Sequence, residues 1–107
     1  MFSLRILDLS NNCLTSLPEG FDYLVNLTDL NLANNHLTSL SEDFGSLHKL
    51  EYLDDSDNHL EYLSNDFASL KTIKKMYISN NKLSRFWISI VSHMPGIESL
   101  DLSDQRT

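Results

Sequence analysis

An α/β solenoid, built from short parallel strands stacked one per repeat, is the fold this sequence predicts. Two observations predict it: a pattern of leucines that recurs every 23 residues, and asparagines Asn12, Asn35, Asn58 and Asn81 that keep the same phase as those leucines in every copy. A fixed period of this size marks a stack of units, each burying its apolar row only against its neighbours.

The first copy reads Leu-x-x-Leu-x-Leu-x-x-Asn-x-Leu through Leu4, Leu7, Leu9, Asn12 and Leu14, then Leu17, Phe21 and Leu24. The second follows with Leu27, Leu30, Leu32, Asn35, Leu37, Leu40, Phe44 and Leu47, and the third with Leu50, Leu53, Asn58, Leu60, Leu63, Phe67 and Leu70. A looser fourth uses Ile73, Met76, Ile78, Asn81, Leu83 and Phe86, and a fifth begins at Ile97, Leu100 and Leu102. The repeats therefore run over about 4–26, 27–49, 50–72 and 73–96, with a partial copy at 97–107, in a single domain 1–107. No Pro-, Gly- or Ser-rich linker divides it. Neither end shows a polar capping segment, so both ends of the stack are expected to be open.

Within each copy the Leu-x-Leu alternation turns leucines to one face of a strand and the intervening residues to the other. The phased asparagines follow the strand. Their amides suit a buried bend whose backbone groups would otherwise go unsatisfied. Phe21, Phe44, Phe67 and Phe86 are expected to stack as an aromatic spine on the wider, convex side. Between Phe86 and Gly96 the pattern loosens; positions 87, 88, 90, 91 and 94 give an amphipathic helix ended by Pro95 and Gly96. Packing is its expected role, with a docking surface around Trp87 as the alternative.

These residues resemble the leucine-rich repeat family over almost the whole chain. The repeat length and the segment Leu17-Pro18-Glu19-Gly20-Phe21 resemble the intracellular, Ras-suppressor-like class, although Ser41 and Ser64 stand where later copies would repeat Pro18. The resemblance implies a right-handed solenoid with a short parallel sheet on the concave side and irregular, 3-10 or short helical segments on the convex side. It also implies a noncatalytic module that binds a protein on the concave face.

That face can be written down from the alternation. Its middle column is Asp8, Asn31, Asp54, Tyr77 and Asp101; the column before it is Ile6, Asp29, Tyr52, Lys75 and Ser99; the column after it is Ser10, Ala33, Ser56, Ser79 and Ser103. With strands about 4.8 Å apart these columns are continuous ladders. Tyr52, Lys75 and Tyr77 form the expected centre of a partner-binding site, with Asp8, Asp29, Asn31, Asp54 and Asp101 around them, since exposed aromatic anchors in a polar rim are typical of interface hot spots. Structural cross-strand tyrosines are the plainer alternative.

Net charge is −7, from 15 acidic and 8 basic residues, which disfavours nucleic acid and favours a basic protein partner. No apolar run reaches the roughly 18 residues of a membrane span, and no secretory signal is evident, so a membrane partner is not expected and a cytoplasmic location is. The single cysteine, Cys13, fits that compartment. Asn26-Leu27-Thr28 matches the glycosylation acceptor pattern, but Leu27 belongs to the core row.

No cofactor, metal or catalytic group is expected. The glycines are Gly20, Gly45 and Gly96, too few for a phosphate-cradling loop, and the serines are repeat-phase residues. His48 and His93 fall on connecting segments. Cys13, His36, His59 and Lys82 share one phase and form a linear edge row, which does not surround a metal. Asp54-Asp55-Ser56-Asp57-Asn58 has oxygen ligands but lacks calcium-loop spacing. Asp55 is the anomaly: its counterparts are Leu9, Leu32, Ile78 and Leu102, so it must protonate, find a partner or water, or distort its strand.

Three readings follow. The first is an interaction module in intracellular signalling or scaffolding, with self-association through the uncapped ends as a further expectation. The second is a structural fragment of a larger leucine-rich repeat receptor, kinase or phosphatase-associated protein. The third is an extracellular adhesion fragment, which a glycan on Asn26 would favour.

Overall fold

Each repeat contributes one three-residue strand, and the strands pair in parallel. The computed structural model describes residues 3–40, 42–63, 67–68 and 70–106. Ser41 and Ser64, which replace Pro18, lie outside the described residues, as do Met1, Phe2 and Thr107. The strands β1 (Ile6–Asp8), β2 (Asp29–Asn31), β4 (Tyr52–Asp54), β6 (Lys75–Tyr77) and β7 (Ser99–Asp101) form a five-stranded sheet in that order. Residues one repeat apart face one another: Leu7, Leu30, Leu53, Met76 and Leu100 are aligned across the sheet. The sequence period and the ladder register are thus the same thing.

A second sheet of two short parallel strands, β3 (Ser39–Leu40) and β5 (Tyr62–Leu63), pairs on the far side of the asparagine bend. The leucine pattern did not announce it. Beyond it the chain returns through 3-10 turns at Phe21–Tyr23 and Glu42–Ser46. The core lies between the large sheet and this returning chain. Leu30, Leu32, Leu37, Leu53, Leu60 and Phe44 are fully buried, whereas Leu4, Leu7, Leu9, Leu14 and Leu17 of the first repeat are only partly covered. That difference is expected when an outer unit has a neighbour on one side.

Asparagine closes four of the five bends. Asn58 donates from Nδ2 to the carbonyl of Leu32 (3.0 Å), and its Oδ1 accepts from the amide of Leu37 (3.0 Å), so one side chain ties two repeats together. Asn35 and Asn81 do the same one repeat away on either side. Gln105 fills this role in the last copy, its longer side chain accepting from Leu83 N (2.9 Å) and donating to Ile78 O (2.8 Å). Just before the phased residue the chain passes through left-handed conformation at Asn11, Asn34, Asp57, Asn80 and Asp104, with φ between 55° and 59°. These residue types tolerate that region best among non-glycines.

The aromatic spine is shorter than the sequence suggested. Phe21 stacks on Phe44 (6.3 Å between ring centroids) and Phe44 on Phe67 (5.6 Å), but Phe86 does not join them. It is 65% exposed and lies edge-on to Trp87 at 5.3 Å. The phase explains why. Phe86 is one repeat on from Leu63, and the fourth repeat then carries an extra residue, which places Val91 where the phenylalanines sit. Met94 N bonds to Val91 O (3.2 Å) just as Leu24, Leu47 and Leu70 bond to Phe21, Phe44 and Phe67.

The extra length is taken up by a helix, α1 (Arg85–Ser92), which buries Val91 and half-buries Trp87, Ile88 and Ile90. It ends before Pro95, and Gly96 turns the chain back at φ +83°. A Cβ added at Gly96 would lie 3.3 Å from the Lys71 carbonyl. No helix among the described residues is long and apolar enough to cross a membrane.

Candidate functional site

The expected columns are present on the outer face of the large sheet. Register places Ile6, Asp29, Tyr52, Lys75 and Ser99 in one row, and Asp8, Asn31, Asp54, Tyr77 and Asp101 in the next. All eight residues singled out for partner binding therefore lie on one surface. Tyr52 and Tyr77, on adjacent strands, meet edge to face with ring centroids 5.7 Å apart. Both are half-buried, so each keeps part of its ring open. Lys75 is exposed beside them, and the Tyr77 hydroxyl lies 3.4 Å from Ser99 Oγ. A shallow hollow of about 190 Å³ opens between Ile6, Asp8, Asp29, Asn31 and Tyr52.

The acidic residues have a second task that the sequence reading missed. Oδ1 of Asp8 accepts the amide of Ser10 (2.9 Å), Asn31 accepts that of Ala33 (3.0 Å), Asp54 that of Ser56 (3.1 Å), and Asp101 that of Ser103 (3.0 Å). Each is an Asx turn that ends its strand. The signal was visible: every strand of the five-stranded sheet but one closes on Asp or Asn two residues before Ser or Ala, and the exception is Tyr77. The turns fix the side chains in place without using both oxygens. Ser10 and Ser103 also donate their hydroxyls to the same carboxylates (2.6 Å and 2.7 Å), and these hydrogen bonds hold Asp8 and Asp101 below the ordinary carboxylate range.

The face is negative at its centre. The Tyr52 hydroxyl is pushed above the usual phenol range, first by partial burial and then by the charges of Asp54, Asp29 and Asp8 together with Tyr77. A cation placed there would relieve this field. Directly behind it lies Asp55, completely buried, its carboxyl pushed up to about 8 by burial and by Asp54. Of the outcomes open to this residue the structure shows a partner, and burial favours the protonated form. Strand β4 keeps its register, Asp55 Oδ1 accepts from Asn58 Nδ2 (3.0 Å), and the raised value leaves the group protonated at neutral pH. Its Oδ2 has no partner among the described residues.

Other candidates are placed less suggestively. His36 and His59 stack at 5.6 Å with Nδ1 of one 3.5 Å from Nε2 of the other, while Cys13 and Lys82 continue the edge as exposed residues. Among the described residues no group of three or more His, Cys, Asp or Glu is placed to hold a metal. Asp54, the last residue of β4, and Asp55, just after it, lie on opposite faces of the sheet, one half-exposed and the other buried, as alternation demands. Lys74 pairs with Glu51 at 3.6 Å. Asn26 accepts a hydrogen bond from Lys49 Nζ (3.0 Å), with Leu27 fully buried behind it.

The family model for leucine rich repeats matches residues 1–37 and 26–83. The chain belongs to the leucine-rich repeat family, whose fold is generally a non-enzymatic protein-interaction scaffold. No curated protein matches it. Among solved structures it is similar to a leucine-rich repeat protein of Leptospira interrogans, with 28% identity and a TM-score of 0.76 over 91% of this chain. It is also similar to the plant peptide hormone receptor RGFR1 in complex with RGF2 (22% identity, TM-score 0.63, 98% of this chain). A Listeria monocytogenes internalin is a third match, at 13% identity and a TM-score of 0.50 over 86% of this chain. The chain spans 26%, 22% and 34% of those proteins, respectively.

Proposed function

We propose that this chain is a noncatalytic module that binds a protein on the concave face of its five-stranded sheet, in intracellular signalling or scaffolding of the Ras-suppressor-like kind. One observation carries the reading: the half-open Tyr52–Tyr77 pair at the centre of a face on which the surrounding Asp8, Asp54 and Asp101 are already fixed by Asx turns. Preorganised groups lose little entropy on binding, so they return more of their contact energy as affinity. Aromatic anchors with a polar rim then supply complementarity. The free, exposed Cys13 supports a reducing compartment.

The reading is tested by a Tyr52→Ala/Tyr77→Ala variant beside a Tyr62→Ala/Phe86→Ala control, since Tyr62 and Phe86 are exposed aromatics away from this face. Affinity capture from cells that express the protein, quantified against wild type after circular dichroism confirms folding, should lose a saturable partner in the first variant and keep it in the second. Retention of the same partner by the first variant contradicts the proposal.

The partly covered leucines of the first repeat favour a second reading, self-association by stacking of repeat ends. Light scattering over a concentration series should then show a mass that rises towards a dimer; a constant monomer mass excludes it.

A further inference from the structure

The middle column of the concave face alternates. Asp8, Asp54 and Asp101 occupy every second strand, with Asn31 and Tyr77 between them. At about 4.8 Å per strand the carboxylates recur about every 9.6 Å across the sheet. An extended chain crossing the strands meets this ladder with its own period. A β-strand presents same-face side chains about every 6.7 Å, which drifts out of step at once. A polyproline II helix repeats every three residues, about 9.3 Å, and stays in step along the row. Aromatic-lined grooves are also the surfaces that grip prolines, and Tyr52 and Tyr77 lie edge to face in this groove. Beside the row runs a low floor of Ser10, Ala33, Ser56, Ser79 and Ser103, which leaves room for a backbone.

On these grounds, and resting on the concave-face reading above, we propose that the partner presents a basic segment in polyproline II conformation, with Lys or Arg at every third residue. It crosses the strands so that its cations meet Asp8, Asp54 and Asp101 while its prolines pack on Tyr52 and Tyr77. Charge complementarity selects the sign: the face sets four aspartates against Lys75. The period selects the conformation. No ordering of the acidic side chains is required on binding, because the Asx turns have already fixed them.

The test uses two labelled dodecapeptides of the same composition, one of four Arg-Pro-Pro triplets and one with its four arginines consecutive, titrated by fluorescence anisotropy at low and at physiological salt. The triplet peptide is expected to bind about tenfold more tightly. Asp8→Asn, Asp54→Asn and Asp101→Asn are suitable variants because Asn31 shows that asparagine makes the same turn without charge. Each should weaken the triplet peptide about threefold and flatten its salt dependence. Tyr77→Ala should weaken it at both salt concentrations. Equal binding of the two peptides overturns the inference, since the face would then be reading charge alone. If neither peptide binds while the Tyr52→Ala/Tyr77→Ala variant still loses its captured protein, the polyproline II segment is wrong and the concave-face reading stands. Peptide binding that is indifferent to all the aspartate variants and to Tyr77→Ala contradicts both.

Discussion

Asp55 is the residue at which sequence and fold disagree most sharply, and the disagreement has a measurable sign. Its carboxyl titrates at about 8 in the fold against an ordinary 3.8. Between those values the native state holds a proton that the unfolded chain has released, so this group's contribution to stability is greatest below about pH 4 and falls as pH rises towards 8. At pH 7 the loss amounts to about 4 kcal/mol. The melting temperature of Asp55→Asn minus that of the wild type should therefore grow from near zero at pH 4 to a plateau above pH 8. A flat difference would show that the carboxyl is not buried. Asp55→Leu, which restores the core residue of the neighbouring repeats, should raise the melting temperature at pH 7 by several degrees. At Asn58 the opposite is expected. Alanine there orphans the Leu37 amide and takes the Asn58 donor from Asp55 Oδ1, while the Leu32 carbonyl keeps its bond from Asn35; the cost is about 3 kcal/mol in denaturant unfolding, whereas Asn12→Ala, at an exposed bend, costs about 1 kcal/mol or less.

At the scale of elements, the stacked phenylalanines and helix α1 divide the convex side between them. Phe44 sits between Phe21 and Phe67 and is fully buried, so Phe44→Ala should destabilise by about 4 kcal/mol. Phe86→Ala should change stability by less than about 0.5 kcal/mol, because the ring is mostly in solvent. Equal costs at the two sites would restore the longer spine. Strand positions, bend asparagines and the concave columns were all legible in the sequence, since a strict period fixes register and alternation fixes facing. The misplacement of Phe86 has a physical cause. Aromatic identity drew it into the spine, while the extra residue of its repeat moved the buried position to Val91. The β3–β5 pairing was not legible because two-residue strands carry too little pattern. The Asx turns were legible but hidden, since the same aspartates also suited a binding face.

The whole molecule is a short stack in which rigidity comes from repetition. Asn35, Asn58 and Asn81 each bridge two repeats and every strand of the large sheet is held by its neighbour, so the sheet face is a firm surface on which side chains differ from repeat to repeat while leucines and asparagines recur. Variation among the repeats is concentrated on this face: strand β6 replaces the Asx residue with Tyr77, and β4 and β6 carry Tyr52 and Lys75. The most direct test of the central claim, that this face is the binding surface, is site-specific photocrosslinking in cells. A photoreactive residue is placed at Ala33 or Ser79 on the sheet face and, separately, at Tyr62 or Phe86 away from it. A discrete protein adduct from Ala33 and Ser79, and none from Tyr62 and Phe86, is the result this account predicts. Adducts from Tyr62 and Phe86 with none from the sheet face would contradict it.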